Sequence, residues 1–127
     1  MNETILLVED DAHTQDRYTR ALKAQGYAVR TMRGARAALT YFSAIDTPPM
    51  VLVLDVNMPE VSSAQMLRHL RHNLTLTEMK IVLISADYHA RREPDMKLAD
   101  RYVSKPCSPG ELVRAVADVL GNPARSA

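Results

Sequence analysis

Glu9, Asp10 and Asp11 follow directly on the apolar run "ILLV", and Asp55 closes a second one, "VLVLD". A third run, "KIVLIS", ends in the hydroxyl of Ser85, and a fourth, "RYVS", is followed by Lys105-Pro106. Carboxylates a few ångströms apart repel by about 4 kcal/mol per close pair at an effective dielectric of about 20. A fold that gathers them must therefore expect positive charge. Lys105 supplies one such charge, and a divalent cation supplies more. Two or three carboxylates offering only oxygen suit Mg2+, which keeps several waters and bridges readily to phosphate. A nucleophilic carboxylate, an ammonium, a hydroxyl and Mg2+ together fit phosphoryl transfer onto an aspartate.

Whether these groups meet depends on the elements between them. Short runs rich in Val, Ile and Leu ("TILLVE", "YAVRT", "MVLVLD", "KIVLIS", "RYVS") alternate with stretches of helical spacing. The first such stretch, about Ala12 to Gln25, puts Tyr18, Ala21, Leu22 and Gln25 on one side and stops at Gly26, a residue suited to a left-handed cap. The second, about Ala35 to Ala44, spaces Ala38, Leu39, Phe42 and Ile45 by three and four. Ser62 with Gln65, and Ser108 with Glu111, make capping-box patterns that open two further helices. The last of these starts with Pro109 and ends at Gly121, the usual asymmetry of helix ends.

Strand and helix repeated about five times predict an α/β fold: a flavodoxin-like, doubly wound, five-stranded parallel sheet of order 2-1-3-4-5. The three central runs are apolar almost without alternation, as strands covered on both faces are. Ligands of such sheets bind beyond the carboxyl ends of the strands, where the order reverses. That point lies between the first and third strands, so Glu9, Asp10 and Asp55 converge there with Ser85 and Lys105 beside them. Asp11 is expected to cap the first helix instead. Between the fourth and fifth strands, Pro94 splits the stretch 87–100. A short or irregular fourth helix is expected there, after a mobile loop.

The 127 residues carry sixteen Lys and Arg against fifteen Asp and Glu. That balance argues against a nucleic-acid partner, which needs clustered basic excess. No apolar run approaches membrane-spanning length, which argues against a membrane partner. The single Cys107 and the lack of an apolar leader suggest a cytoplasmic protein. One domain is expected over 1–121, with "NPARSA" (122–127) as a tail or the start of a linker.

The motifs "ILLVEDD", "LVLDVNMP", "LISA" and "YVSKP", in this order and near this spacing, make the chain resemble the receiver domain of two-component response regulators across nearly its whole length. The resemblance implies that Asp55 is the phosphoacceptor and that Asp10, Asp55 and the backbone carbonyl of Asn57 ligate Mg2+, with Glu9 joining through water. It implies that Lys105 pairs with a phosphoryl oxygen, that Ser85 turns toward the phosphoryl group, and that Tyr102 is the switch aromatic. It also implies a histidine kinase or histidine phosphotransfer protein as donor and a downstream protein or output domain as target, and it leaves a homodimer open. Slow self-dephosphorylation and self-phosphorylation from small donors are expected. Ser63 and Leu98 stand where the family commonly has Gly.

The rival is a Mg2+-dependent phosphohydrolase with an aspartyl nucleophile, of the haloacid-dehalogenase type. Those enzymes usually carry a second Asp two residues after the nucleophile, where this chain has Asn57, and the chain offers no cap domain. A degenerate, phosphate-independent receiver is disfavoured by the retained acids, Ser85 and Lys105. His69 and His72 share a helix face but lack a third ligand nearby, and so read as surface residues. Met58, Met66 and Cys107 read as packing.

Overall fold

Runs such as Val51 to Leu54 lose water from every side chain only where both faces of the strand are covered, and the chain arranges itself to do that. The structure, a computed structural model, describes residues 2–56, 62–86 and 97–121. Its strands are β1 (Asn2–Val8), β2 (Ala28–Met32), β3 (Pro49–Asp55), β4 (Lys80–Ser85) and β5 (Arg101–Ser104). They form one parallel sheet, as the alternation predicts, in the expected flavodoxin-like order β2-β1-β3-β4-β5. The helices are α1 (Ala12–Ala24), α2 (Ala35–Ala44), α3 (Ser63–His72) and α4 (Pro109–Leu120), with a short 3-10 turn at Leu74–Leu76. Of the stretch 87–100, where a loop and then a short or irregular helix are expected, 87–96 lie outside the described residues, as do Asn57 and Met58 and the tail 122–127, while 97–98 form a fragment of 3-10 helix just before β5.

The strand alternation sorts the core into two layers. Leu6, Val8, Leu52, Leu54, Ile81 and Leu83 face α2 and α3, meeting Ala38, Phe42, Leu67 and Leu70. Ile5, Leu7, Val51, Val53, Val82 and Ile84 face α1 and α4, meeting Tyr18, Leu22, Leu112 and Val116. Each of these larger side chains contributes roughly 1.5–3 kcal/mol by leaving water. A one-residue slip of any central strand would exchange the layers and is strongly resisted.

Local signals end the helices where they place the site. The Asp11 carboxylate accepts from the Thr14 amide (2.9 Å) and caps α1, as expected. Ser108 and Glu111 close both arms of their capping box at 3.1 and 3.3 Å. Gly26 and Gly121 take positive φ (92° and 70°), a backbone conformation that Cβ disfavours. The entry to β5 is tied down by Arg71 of α3. Its guanidinium donates to the Leu98 carbonyl (3.0 Å), the Met79 carbonyl (2.8 Å) and the Asp100 carboxylate (2.9 Å). Asp100 in turn accepts from the Ile81 amide at 2.7 Å.

Candidate functional site

Continuing each strand's alternation one residue past its apolar run shows why the site forms. Glu9 follows Ile5 and Leu7, Asp55 follows Val51 and Val53, and Lys105 follows Val103, so all three lie on the α1/α4 side of the sheet. Ser85 follows Ile81 and Leu83 and lies on the other side, the side on which Tyr102 packs. Glu9, Asp55 and Ser85 are buried, while Asp10 is exposed.

At the carboxyl ends of the strands opens a cavity of about 450 Å³, bounded by Glu9, Asp10, Asp55, Lys105, Thr14 and Tyr18 among others. The Lys105 Nζ donates to Asp55 Oδ2 at 2.9 Å, with the carboxylate side chain only 4% exposed. One carboxylate oxygen from each of Glu9, Asp10 and Asp55 lies within 4.8 Å of the others. An ion held at about 2.0–2.1 Å from each ligand spaces its oxygens by about 3 Å (cis) to about 4 Å (trans). Two of the three acids can thus ligate directly after a small rotation and the third through a water, and an all-oxygen donor set of this kind suits Mg2+.

The electrostatics carry the cost of that gathering. Burial, with the negative charge of Asp55 and a hydrogen bond to it, pushes the Glu9 carboxyl up to about 7; the Asp11 amide and Lys105 pull the other way. The Asp11 amide donates to Glu9 Oε1 at 3.1 Å. Asp11 itself is held below the ordinary carboxylate range by the Thr14 hydroxyl and amide, and it serves the helix.

Of the residues singled out in the sequence, Glu9, Asp10, Asp55 and Lys105 come together around the cavity. Ser85 ends β4 beside Asp55's strand, and its carbonyl accepts from the Lys105 amide at 2.8 Å. Tyr102 is half-buried on β5, opposite Leu83. Asn57 lies outside the described residues. His69 and His72 are exposed, and the His72 ring nitrogen Nδ1 meets the Arg68 carbonyl at 2.6 Å.

Two residues of α1 went unremarked as site residues. Gln15 donates its side-chain amide to the carbonyls of Glu9 (3.2 Å) and Met32 (3.1 Å), holding the acidic turn to the end of β2. Tyr18 lines the cavity and donates its hydroxyl to the Cys107 carbonyl at 2.8 Å. The available signal is helical spacing: Asp11 stands three before Thr14 and four before Gln15, and these stand four and three before Tyr18, on the face turned to the strand ends.

A doubly wound sheet with an acidic, lysine-braced cavity at its switch point defines an α/β domain whose clustered carboxylates could hold a metal ion. The model of the response regulator receiver domain matches residues 5–117, and the chain belongs to that family. Among curated relatives it is 29% identical over 126 residues to the phosphate regulon transcriptional regulatory protein PhoB of Pseudomonas aeruginosa, covering 94% of this chain and 52% of that protein. It is 23% identical over 124 residues to the polar-differentiation response regulator DivK of Brucella ovis, covering 96% of this chain and 99% of DivK. The chain spans about half the length of the first curated relatives it matches. Among solved structures, the Thermotoga maritima response regulator TrrA, in complex with Mg2+ and BeF, superposes with a TM-score of 0.80 at 27% identity, covering 93% of this chain and 99% of that one. The chain is a phosphoryl-accepting signalling module of the two-component type.

Proposed function

We propose that Asp55 accepts the phosphoryl group. The observation that carries this reading is a carboxylate 4% exposed, 2.9 Å from the Lys105 ammonium, and within 4.8 Å of two further acids at the mouth of a cavity. With an acyl phosphate as donor, an Asp55 oxygen attacks phosphorus and the bond to the donor's carboxylate oxygen breaks. The electron pair leaves with that carboxylate. Lys105, released from Asp55, follows the negative charge onto a phosphoryl oxygen. Asp10, Asp55 and the Asn57 carbonyl would hold Mg2+, with Glu9 joining through water; the ion supplies positive charge against both the acids and the phosphoryl oxygens. Ser85 then turns its hydroxyl to the phosphoryl group, and the Tyr102 ring moves into the space behind it. That movement shifts two pre-existing states of the outer surface.

The physiological donor is a histidine kinase or histidine phosphotransfer protein in the cytoplasm, and the changed surface meets a downstream target, an output domain or a second copy. The receiver runs over 1–121, with 122–127 as a tail or linker. The test is intact mass after incubation with acetyl phosphate and Mg2+. A single phosphoryl adduct on the wild type and none on Asp55→Asn is expected. An adduct of equal yield on the variant would overturn the assignment.

A further inference from the structure

Lys105 reaches Asp55 on a flexible four-carbon stem, so the 2.9 Å contact between them depends on where the backbone of residue 105 is held. The loop leaving β5 is held on both sides of that residue. Before it, the Lys105 amide donates to the Ser85 carbonyl of β4 at 2.8 Å. After it, the Cys107 carbonyl accepts from the Tyr18 hydroxyl of α1 at 2.8 Å. Tyr18 is 3% exposed and packs in the layer that contains Leu22, Leu112 and Val116. A phenylalanine would fill that space equally well. A buried hydroxyl costs free energy unless bonded, so what tyrosine adds here is the bond to the loop.

We propose, resting on the reading of Asp55 as acceptor, that Tyr18 is a positioning residue for the phosphoryl chemistry, its hydroxyl fixing through the Cys107 carbonyl the loop from which Lys105 reaches Asp55. The same helix holds the other wall of the cavity, since Gln15 bonds the Glu9 carbonyl and Asp11 turns the chain into α1. α1 thus sets the acids and the lysine against each other from one rigid body. Without the hydroxyl, the Cys107 carbonyl must turn toward water to find a donor, and the Lys105 end of the loop turns with it.

The test compares wild type, Tyr18→Phe, Lys105→Ala and the double variant, with Leu22→Val as a packing loss one turn further along α1. Three quantities are read: the rate of the acetyl phosphate adduct, Mg2+ affinity, and the NMR chemical shifts of the Lys105 side chain. Tyr18→Phe is expected to slow adduct formation roughly three- to tenfold, the worth of one hydrogen bond. Its Mg2+ affinity stays at the wild-type value, and the NMR chemical shifts of its Lys105 side chain depart from those of the wild type. In the Lys105→Ala background the substitution adds no further loss, and Leu22→Val leaves rate and Lys105 chemical shifts in place. A wild-type rate in Tyr18→Phe, additive losses in the double variant, an equal fall in Mg2+ affinity, or the same slowing in Leu22→Val would each overturn the proposal. A wild type that forms no adduct overturns the acceptor reading instead. The Lys105 chemical shifts then still decide whether Tyr18 holds the lysine.

Discussion

Without bound metal, the stability of this domain should fall as the pH rises from about 4.5 to about 7, and Glu9 should be the reason. An acid pushed up to about 7 in the fold from an ordinary value of 4.5 is favoured by folding in its neutral form. Below the unfolded value Glu9 is neutral in both states and costs nothing. Between the two values the unfolded chain ionises while the fold holds the proton, and stability drains away. Above the folded value both states are charged and the loss is complete. At 1.36 kcal/mol per pH unit over a window of roughly 2.5 units, the loss is about 3 kcal/mol. With a urea slope of about 1.5–2 kcal/mol/M, the unfolding midpoint falls by about 1.5–2 M across the window. The assay is urea unfolding in chelator at a series of pH values, for wild type and Glu9→Gln. The amide keeps the size of the group and cannot ionise, so the difference between the two curves isolates Glu9 from the histidines and other acids. Saturating Mg2+ should abolish the wild-type fall, because the ion favours the charged form and its binding releases the proton. Parallel curves for the two proteins in chelator would refute the reasoning.

Asp10→Ala should weaken Mg2+ binding by more than about tenfold, the loss that even an outer-shell partner of a metal site brings; titration at neutral pH measures it, and wild-type affinity would exclude Asp10 as a ligand. Beryllofluoride with Mg2+ should change the NMR environment of the Tyr102 ring, and an unmoved ring would count against the switch. Arg71→Ala strips donors from the Leu98 and Met79 carbonyls and a partner from Asp100. It should cost about 2–3 kcal/mol of stability by urea unfolding while leaving the adduct yield of the folded protein intact, and an unchanged midpoint would show that water replaces all three bonds.

Much of this molecule is written in short range. The covered strands announce themselves as unbroken apolar runs, and the charged groups at their ends, Glu9, Asp10, Asp55 and Lys105, are visible because each stands where an apolar run stops. Ser108 with Glu111, Asp11 with Thr14, and Gly26 and Gly121 act within a few residues of their own positions. Their types and spacing therefore carry the geometry directly. The parallel direction of the strands follows from the same alternation, since parallel neighbours need a crossover connection.

Other features had no such signature. Arg71 finds Leu98, Tyr18 finds Cys107 and Gln15 finds Met32 through backbone carbonyls, a group that every residue carries, so no residue type in the sequence marks the acceptor. Tyr18 reads in the sequence as one more apolar position on α1. It becomes a hydrogen-bond donor to the lysine loop only because the sheet brings together residues 89 positions apart. Glu9 is legible in the sequence as an acid of the site, but its raised affinity for the proton is not. Folding buries it beside Asp55, and a carboxyl's affinity for its proton depends on the dielectric and charge around it rather than on its neighbours in the chain.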